Sequence, residues 1–274
     1  MAFSYQGKRV IVTGAASGMG AATVAMLLDR GAEVHALDIA PIASSSGDAS
    51  VAGTYETDCG NPASIDATVE KIGGEVHALF NIAGVPQTLP PDRVFGVNFL
   101  GLRHLTEAVL AGPMVDGGAV AHVASKAGSG WRNHLPAIQE VLATDDLPAG
   151  AAWASANLAD QGDPYFFSKE CVVVYTMQRA HELIGRGIRM NCLSPGPVES
   201  PMMPAFREAL GSSLLEWTAA QVGRMGRPDE MAGPLVFLNS DEASYVNGFD
   251  LMADGGFTGA MEMGLVDFST LPAG

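Results

Sequence analysis

Short apolar runs alternate with helix-length amphipathic stretches along most of this chain. Runs rich in Val, Ile, Leu and Ala, of strand length, lie at residues 8–12, 33–38, 76–82, 118–124, 188–193 and 248–252, with a weaker one near 54–57. Helix-length segments lie between them at 18–30, 61–72, 92–111, 164–185 and 228–239. Strands alternating with helices predict βαβ units and a parallel sheet covered on both faces. Right-handed crossovers turn this into an α/β, doubly wound parallel sheet of the Rossmann type.

Two stretches break the rhythm. Residues 127–162 hold Trp131, Trp153 and many alanines, and carry Glu140, Asp145, Asp146 and Asp160 against Arg132 alone. Residues 199–222 cluster Met202, Met203, Phe206, Leu210, Leu214, Leu215 and Trp217 beside Pro201 and Pro204. Loops this long in a compact domain are usually functional. The first is expected to bulge outward as an insertion, its tryptophans roofing the site, and the second to form a substrate lid. The tail after Gly256 is irregular.

Composition narrows the picture. A length of 274 residues suits one large domain over 1–274, and 47% hydrophobic against 16% charged residues fills a sizeable core. A net charge of −15 argues against a nucleic-acid partner and an anionic membrane surface. Any phosphate-bearing ligand must then be held by local backbone N–H groups. The cysteines Cys59, Cys171 and Cys192 show no CxxC spacing, which predicts a reducing compartment. The apolar start at 10–12 is too short for a signal sequence, and nothing approaches transmembrane length. A soluble cytoplasmic protein is expected. The six histidines form no HxxxH or HExxH pattern, so no metal site is expected, and the absence of G-x-S-x-G disfavours a serine hydrolase.

The first strand runs into Thr13-Gly14-Ala15-Ala16-Ser17-Gly18-Met19-Gly20 and then a helix. A strand, a tight turn and a helix N-terminus offer unpaired N–H groups and a positive dipole end to a pyrophosphate. Gly14 permits the turn, Gly18 the close approach of ligand, and Gly20 the close packing of the helix; Ser17 and Met19 share the contact. Eighteen residues past Gly20, the second strand ends at Asp38. A carboxylate there accepts both ribose hydroxyls and repels a 2′-phosphate, which predicts NAD rather than NADP. Tyr165 and Lys169, four apart on one helix face, form a candidate acid–base pair. A neighbouring cation is expected to lower the phenol pKa from its usual value of about 10 and make Tyr165 a general base.

The order of these motifs resembles the short-chain dehydrogenase/reductase family along nearly the whole chain. The matching residues are the T-G-x-x-x-G-x-G turn, Asp58, Asn81-Ile82-Ala83-Gly84, Asn98, Ser125, Tyr165-x-x-x-Lys169 and Pro195-Gly196-Pro197-Val198. The resemblance implies that Ser125 orients the substrate oxygen, Tyr165 exchanges its proton, Lys169 also holds the nicotinamide ribose, and Asn98 supports a proton-relay water. It further implies that Asp58 and Cys59 face the adenine, that Asn81, Ala83 and Gly84 line the cofactor, and that Pro195, Val198 and Ser200 position the nicotinamide. Ile82 and Ser200 depart from the common residues there, and Ser125 and Tyr165 are 40 residues apart, more than the family gap.

Within the family, Asn81–Pro86, Gly101-Leu102 with Leu105–Leu110, Arg189–Cys192 with Pro195–Val198, and the long insertion are similar to the group of coniferyl-alcohol dehydrogenase and bacterial 3α-hydroxysteroid dehydrogenase/carbonyl reductase. That similarity implies oxidation of a bulky apolar alcohol, of hydroxysteroid or aryl/allylic type. A reductase of a small carbonyl, a non-catalytic NAD-binding sensor and a sugar-nucleotide epimerase are the alternatives. The acidic insertion would enter the helix pair through which such enzymes commonly associate, so a homodimer through 228–239 and 248–252 is expected before a tetramer.

Overall fold

The computed structural model describes residues 3–42 and 51–271. Among them, strands β1 (Arg9–Thr13), β2 (Glu33–Asp38), β3 (Gly53–Glu56), β4 (Val76–Asn81), β5 (Met114–Val123), β6 (Arg189–Pro195) and β7 (Asp250–Ala253) form one sheet. Its order is β3-β2-β1-β4-β5-β6-β7, every neighbour parallel. The order reverses between β1 and β4, and a doubly wound sheet opens a crevice there, at the carboxyl ends of its strands. Val10, Ile11 and Val12 are fully buried, which is why the strands read as unbroken apolar runs. Two core clusters result, one on each face of the sheet.

Helices α1 (Gly18–Leu28) and α2 (Pro62–Ile72) follow the first strands. The stretch expected as one helix over 92–111 is α3 (Pro91–Phe95), a π-helical turn (Gly96–Gly101) and α4 (Leu102–Ala111). Widened turns of this kind occur often at functional sites, and Asn98 lies inside this one.

Residues 127–162 are not a loop. A 3-10 turn (Lys126–Asn133) leads to α5 (Leu135–Leu142) and α6 (Leu147–Asn157), then to α7 (Pro164–Glu182). The start signals are present: Pro136 in the first turn of α5, and Asp146 capping α6 through Ala149 N at 2.8 Å. Alanine, however, gives α6 no apolar stripe from which to read a helix. Ile138 and Val141 are fully buried, and Trp153 stacks on Phe167 of α7 at 5.9 Å between centroids. The insertion therefore extends the core over α7. The other long stretch folds as α8 (Met203–Leu210) and α9 (Ser212–Val222), broken at Gly211 with φ +85°. After α10 (Pro228–Leu238) and β7 comes α11 (Phe257–Glu262), with a last 3-10 turn at Phe268–Thr270. No helix among the described residues is long and apolar enough to cross a membrane.

Candidate active site

A cavity of about 760 Å³ opens at the switch point and extends under α8, α9 and the tail. Its floor is the glycine turn. Gly14 adopts φ +69°, and a Cβ there would stand 2.9 Å from the Ala83 nitrogen. At Gly20 a Cβ would collide with the Gly14 carbonyl. Thr13 Oγ1 accepts from Ile82 N at 2.9 Å and Ala83 N at 3.0 Å, tying the end of β1 to the loop after β4. Ser17 precedes α1 without a capping bond from its own side chain, so the helix amides stay available to an anion. Ser17, Gly18 and Met19 all line the cavity.

Asp38 closes one end. Its carboxylate accepts from Ala16 N and Ala40 N, each at 2.9 Å, which fixes its orientation toward the turn. Asp58 and Cys59 line the same end. Burial raises the pKa of Asp58, but the Arg93 guanidinium at 2.8 Å and the Gly60 amide outweigh it and hold the carboxyl below its usual value. Gly101 lets the Cys59 carbonyl lie directly on the π-helical turn; a Cβ would overlap it.

Across the cavity stand Ser125, Tyr165 and Lys169. Ser125 lies two residues past the end of β5 and caps the following 3-10 turn, its Oγ accepting from Ala127 N at 3.1 Å. Asp163 caps α7 through Tyr165 N at 2.8 Å, with Pro164 in the first turn, and so places Tyr165 at the very start of the helix. One turn on, Lys169 Nζ lies 5.7 Å from the Tyr165 ring centroid and donates to the Val123 carbonyl at 2.9 Å. Burial raises the Tyr165 pKa to about 12, although the Ser125 hydroxyl lowers it. Burial likewise lowers the Lys169 pKa to about 8. The expected depression of the phenol pKa is thus reversed in the protein alone: desolvation penalises the phenolate more than its neighbours favour it.

Pro195, Val198 and Ser200 line the cavity beside Ala83 and Gly84. A Cβ at Gly84 would lie 3.2 Å from Asn98 Oδ1 and 3.8 Å from Lys169 Nζ, so glycine lets both approach.

The side chains of Asn81 and Asn98 are engaged away from the main cavity. Asn81 does not border the main cavity: its Nδ2 donates to Thr106 Oγ1 at 2.9 Å and lies 3.1 Å from His122 Nδ1, so it serves the core behind the strand. The Asn98 amide is spent on Val85, accepting from its N at 2.8 Å and donating to its O at 3.0 Å. That makes its side chain a brace for the loop after β4.

The lid segment reaches the centre. Phe206 meets the Tyr165 ring edge-on at 5.3 Å, and Met202, Met203, Leu214 and Trp217 add apolar wall. Trp131 and Trp153, expected above the site, do not line it: Arg132 stacks on Trp131 at 4.3 Å, and Trp153 packs on Phe167. Sequence reasoning missed the tail. Phe257, Met261, Phe268 and Leu271 complete the wall, and Trp217 joins them through Phe257 at 6.0 Å and a 2.9 Å bond to Thr270 Oγ1. Arg93 and Lys126 were also missed; adjacency to Ser125 was the only available signal for Lys126. Among the described residues, no group of three or more His, Cys, Asp or Glu could hold a metal ion.

The residues fit a nicotinamide dinucleotide: a cradle that side chains would fill, free helix amides for a pyrophosphate, and a carboxylate at the ribose distance along the chain. Comparison with known proteins agrees. Residues 8–137 match the family model for short chain dehydrogenase, and 151–258 that for Enoyl-(Acyl carrier protein) reductase. Coniferyl-alcohol dehydrogenase of Pseudomonas sp. (strain HR199) is 34% identical, over 91% of this chain and 96% of the relative. The 3-alpha-hydroxysteroid dehydrogenase/carbonyl reductase of Comamonas testosteroni is 30% identical, over 92% and 97%. Among solved structures, the 3-alpha-hydroxysteroid dehydrogenase of Pseudomonas sp. B-0831 complexed with NADH superposes with a TM-score of 0.76 at 28% identity, over 95% of this chain and all of that one. On these matches and on this architecture, the chain belongs to the short-chain dehydrogenase family of oxidoreductases.

Proposed function

We propose that the protein is an NAD-dependent dehydrogenase of bulky, largely apolar secondary or benzylic alcohols. The observation that carries this reading is the meeting of Ser125, Tyr165 and Lys169 in one cavity walled by Phe206, Leu214, Trp217 and Phe257. Bound NAD would supply the hydride acceptor. Ser125 holds the carbinol oxygen, Tyr165 takes the hydroxyl proton as the carbinol hydride leaves, and Lys169 supports the phenolate and the ribose. The lid and tail exclude water and favour substrates with large apolar bodies. Asp38 supports NAD over NADP, having no cation paired to it among the described residues. A buried tyrosine beside a lysine argues against a pure NAD sensor, which needs no aligned acid–base pair.

The free thiols Cys59, Cys171 and Cys192 fit a reducing cytoplasm. We further propose a homodimer. Helices α5 and α6 already cover α7, while Tyr245 and Phe249 stand exposed beside β7.

The test is NAD reduction with a panel of hydroxysteroids, allylic aryl alcohols and simple alcohols. Higher kcat/KM for the bulky members supports the proposal. Turnover of ethanol or glycerol above them would overturn it.

A further inference from the structure

Lys126 directly follows Ser125, yet nothing in the mechanism above uses it. Its side chain enters the cavity and lies over the Phe257 ring, with Nζ 4.8 Å from the centroid. Among the described residues Nζ makes no hydrogen bond and no ion pair. Asp254 is close enough for its charge to act on Lys126, yet the two form no ion pair; one Asp254 oxygen accepts from Gly256 N at 3.0 Å and the other from Thr258 N at 2.8 Å. Burial lowers the Lys126 pKa, and the Asp254 charge only partly opposes this.

The cavity it enters is largely apolar, with Leu214, Trp217, Phe257 and Met261 in its wall; Glu170, which also lines it, is bonded to His134 at 2.6 Å. A cation with three donors therefore stands in an apolar chamber, held by an aromatic face and otherwise reliant on water. A substrate that fills the chamber expels that water. A wholly apolar body would leave the ammonium unpaired, which is costly, whereas an anionic substituent would pair with it through charge-assisted bonds.

We propose that Lys126 selects alcohols whose apolar body carries a carboxylate. This rests on the reading of the site as that of an alcohol dehydrogenase, and it narrows the substrate class to amphipathic hydroxy acids. The carbinol meets Ser125 and Tyr165, the body lies against the lid, and the carboxylate meets Lys126 beside Phe257. Lys126 is thus a specificity-determining residue one position from the catalytic serine.

The probes are α-methylbenzyl alcohols carrying a para- or meta-carboxylate, and the methyl esters of the same two acids. We compare kcat/KM for acid and ester in the unmodified enzyme and in Lys126→Met and Lys126→Arg. One acid should exceed its ester by about tenfold or more, the scale of one charge-assisted contact. That ratio should collapse toward unity in Lys126→Met and persist in Lys126→Arg. Ratios near unity in the unmodified enzyme, or ratios untouched by Lys126→Met, overturn the inference and leave the alcohol dehydrogenase reading intact. If no probe is oxidised, calorimetric titration with para-isopropylbenzoate in the presence of NAD decides separately. Binding lost in Lys126→Met upholds the anion site while the reaction assignment fails; absent or unchanged binding overturns both.

Discussion

Replacing Asp38 should change cofactor choice. The carboxylate sits at the end of β2 with its two oxygens aimed by Ala16 N and Ala40 N. A 2′-phosphate bound here would bring its charge to roughly 4–5 Å from that carboxylate, a repulsion of about 3–4 kcal/mol at an effective dielectric near 20. Partial exposure and salt reduce it, leaving about 2–3 kcal/mol, or roughly a 30- to 150-fold preference for NAD, at about 1.4 kcal/mol per tenfold. The measurement is kcat/KM for NAD⁺ and NADP⁺ with one alcohol. Asp38→Ser should cut the preference at least tenfold. Adding Ile39→Arg, at a position that is 59% exposed and lines the cavity, should bring it near unity or reverse it. Asp38→Asn separates charge from shape, since it keeps one acceptor and removes the charge; it too should relax the preference. Arg93 is a nearby cation that could serve a phosphate, but Asp58 occupies it at 2.8 Å. Equal use of both cofactors by the unmodified enzyme, or an Asp38→Asn variant as selective as the parent, would refute the charge argument.

Three further predictions concern chemistry and assembly. Tyr165→Phe should lower alcohol oxidation by about 10²–10⁴-fold while NADH binding persists, and a loss under tenfold would contradict the assigned proton transfer. Because burial raises the Tyr165 pKa, to about 12 in the protein alone, the base form grows with pH: oxidation should rise through the alkaline range, ketone reduction should stay level until the pH nears that value, and a pH-independent oxidation rate would count against Tyr165. Light scattering should give a dimer that Phe249→Glu with Tyr245→Glu converts to monomer; a stable tetramer with 127–162 protected from proteolysis at a contact would overturn the assembly proposed.

What was legible from sequence follows from where the information is stored. Strands buried on both faces must be apolar throughout, and a glycine turn between strand and helix has no cheap substitute, so β1, Gly14 and Gly20 could be read locally. The insertion could not. Alanine-rich α6 buries Gly150 and Ala154 without a periodic stripe, so only its Asp146 cap and Pro148 marked it. Asn81 misled because its motif is shared while its side chain turns behind the strand to Thr106 and His122. The phenol pKa depends on burial, which spacing does not report. The tail was invisible for a further reason: Phe257 and Phe268 acquire meaning by meeting Trp217, which stands at least 40 residues away in sequence.

The long gap between Ser125 and Tyr165 is harmless because each end is fixed independently of what lies between. The end of β5 is held in the sheet, Val123 opposite Leu193, with Ala124 N bonded to the Leu193 carbonyl at 2.8 Å. The start of α7 is set by its Asp163 cap, and Lys169 is pinned to Val123. The 3-10 turn then lies flat on α7 because Gly128 has no side chain: a Cβ there would stand 2.8 Å from the Lys169 carbonyl oxygen. Gly130 allows the same approach at Glu170, whose carboxylate reaches His134 Nδ1 at 2.6 Å and fastens the entry of α5. With both ends and the first eight residues of the excursion locked, the remaining chain can lengthen outward without moving the hydroxyls. The same locked turn begins at Lys126, the first residue after Ser125, whose side chain reaches into the cavity over Phe257.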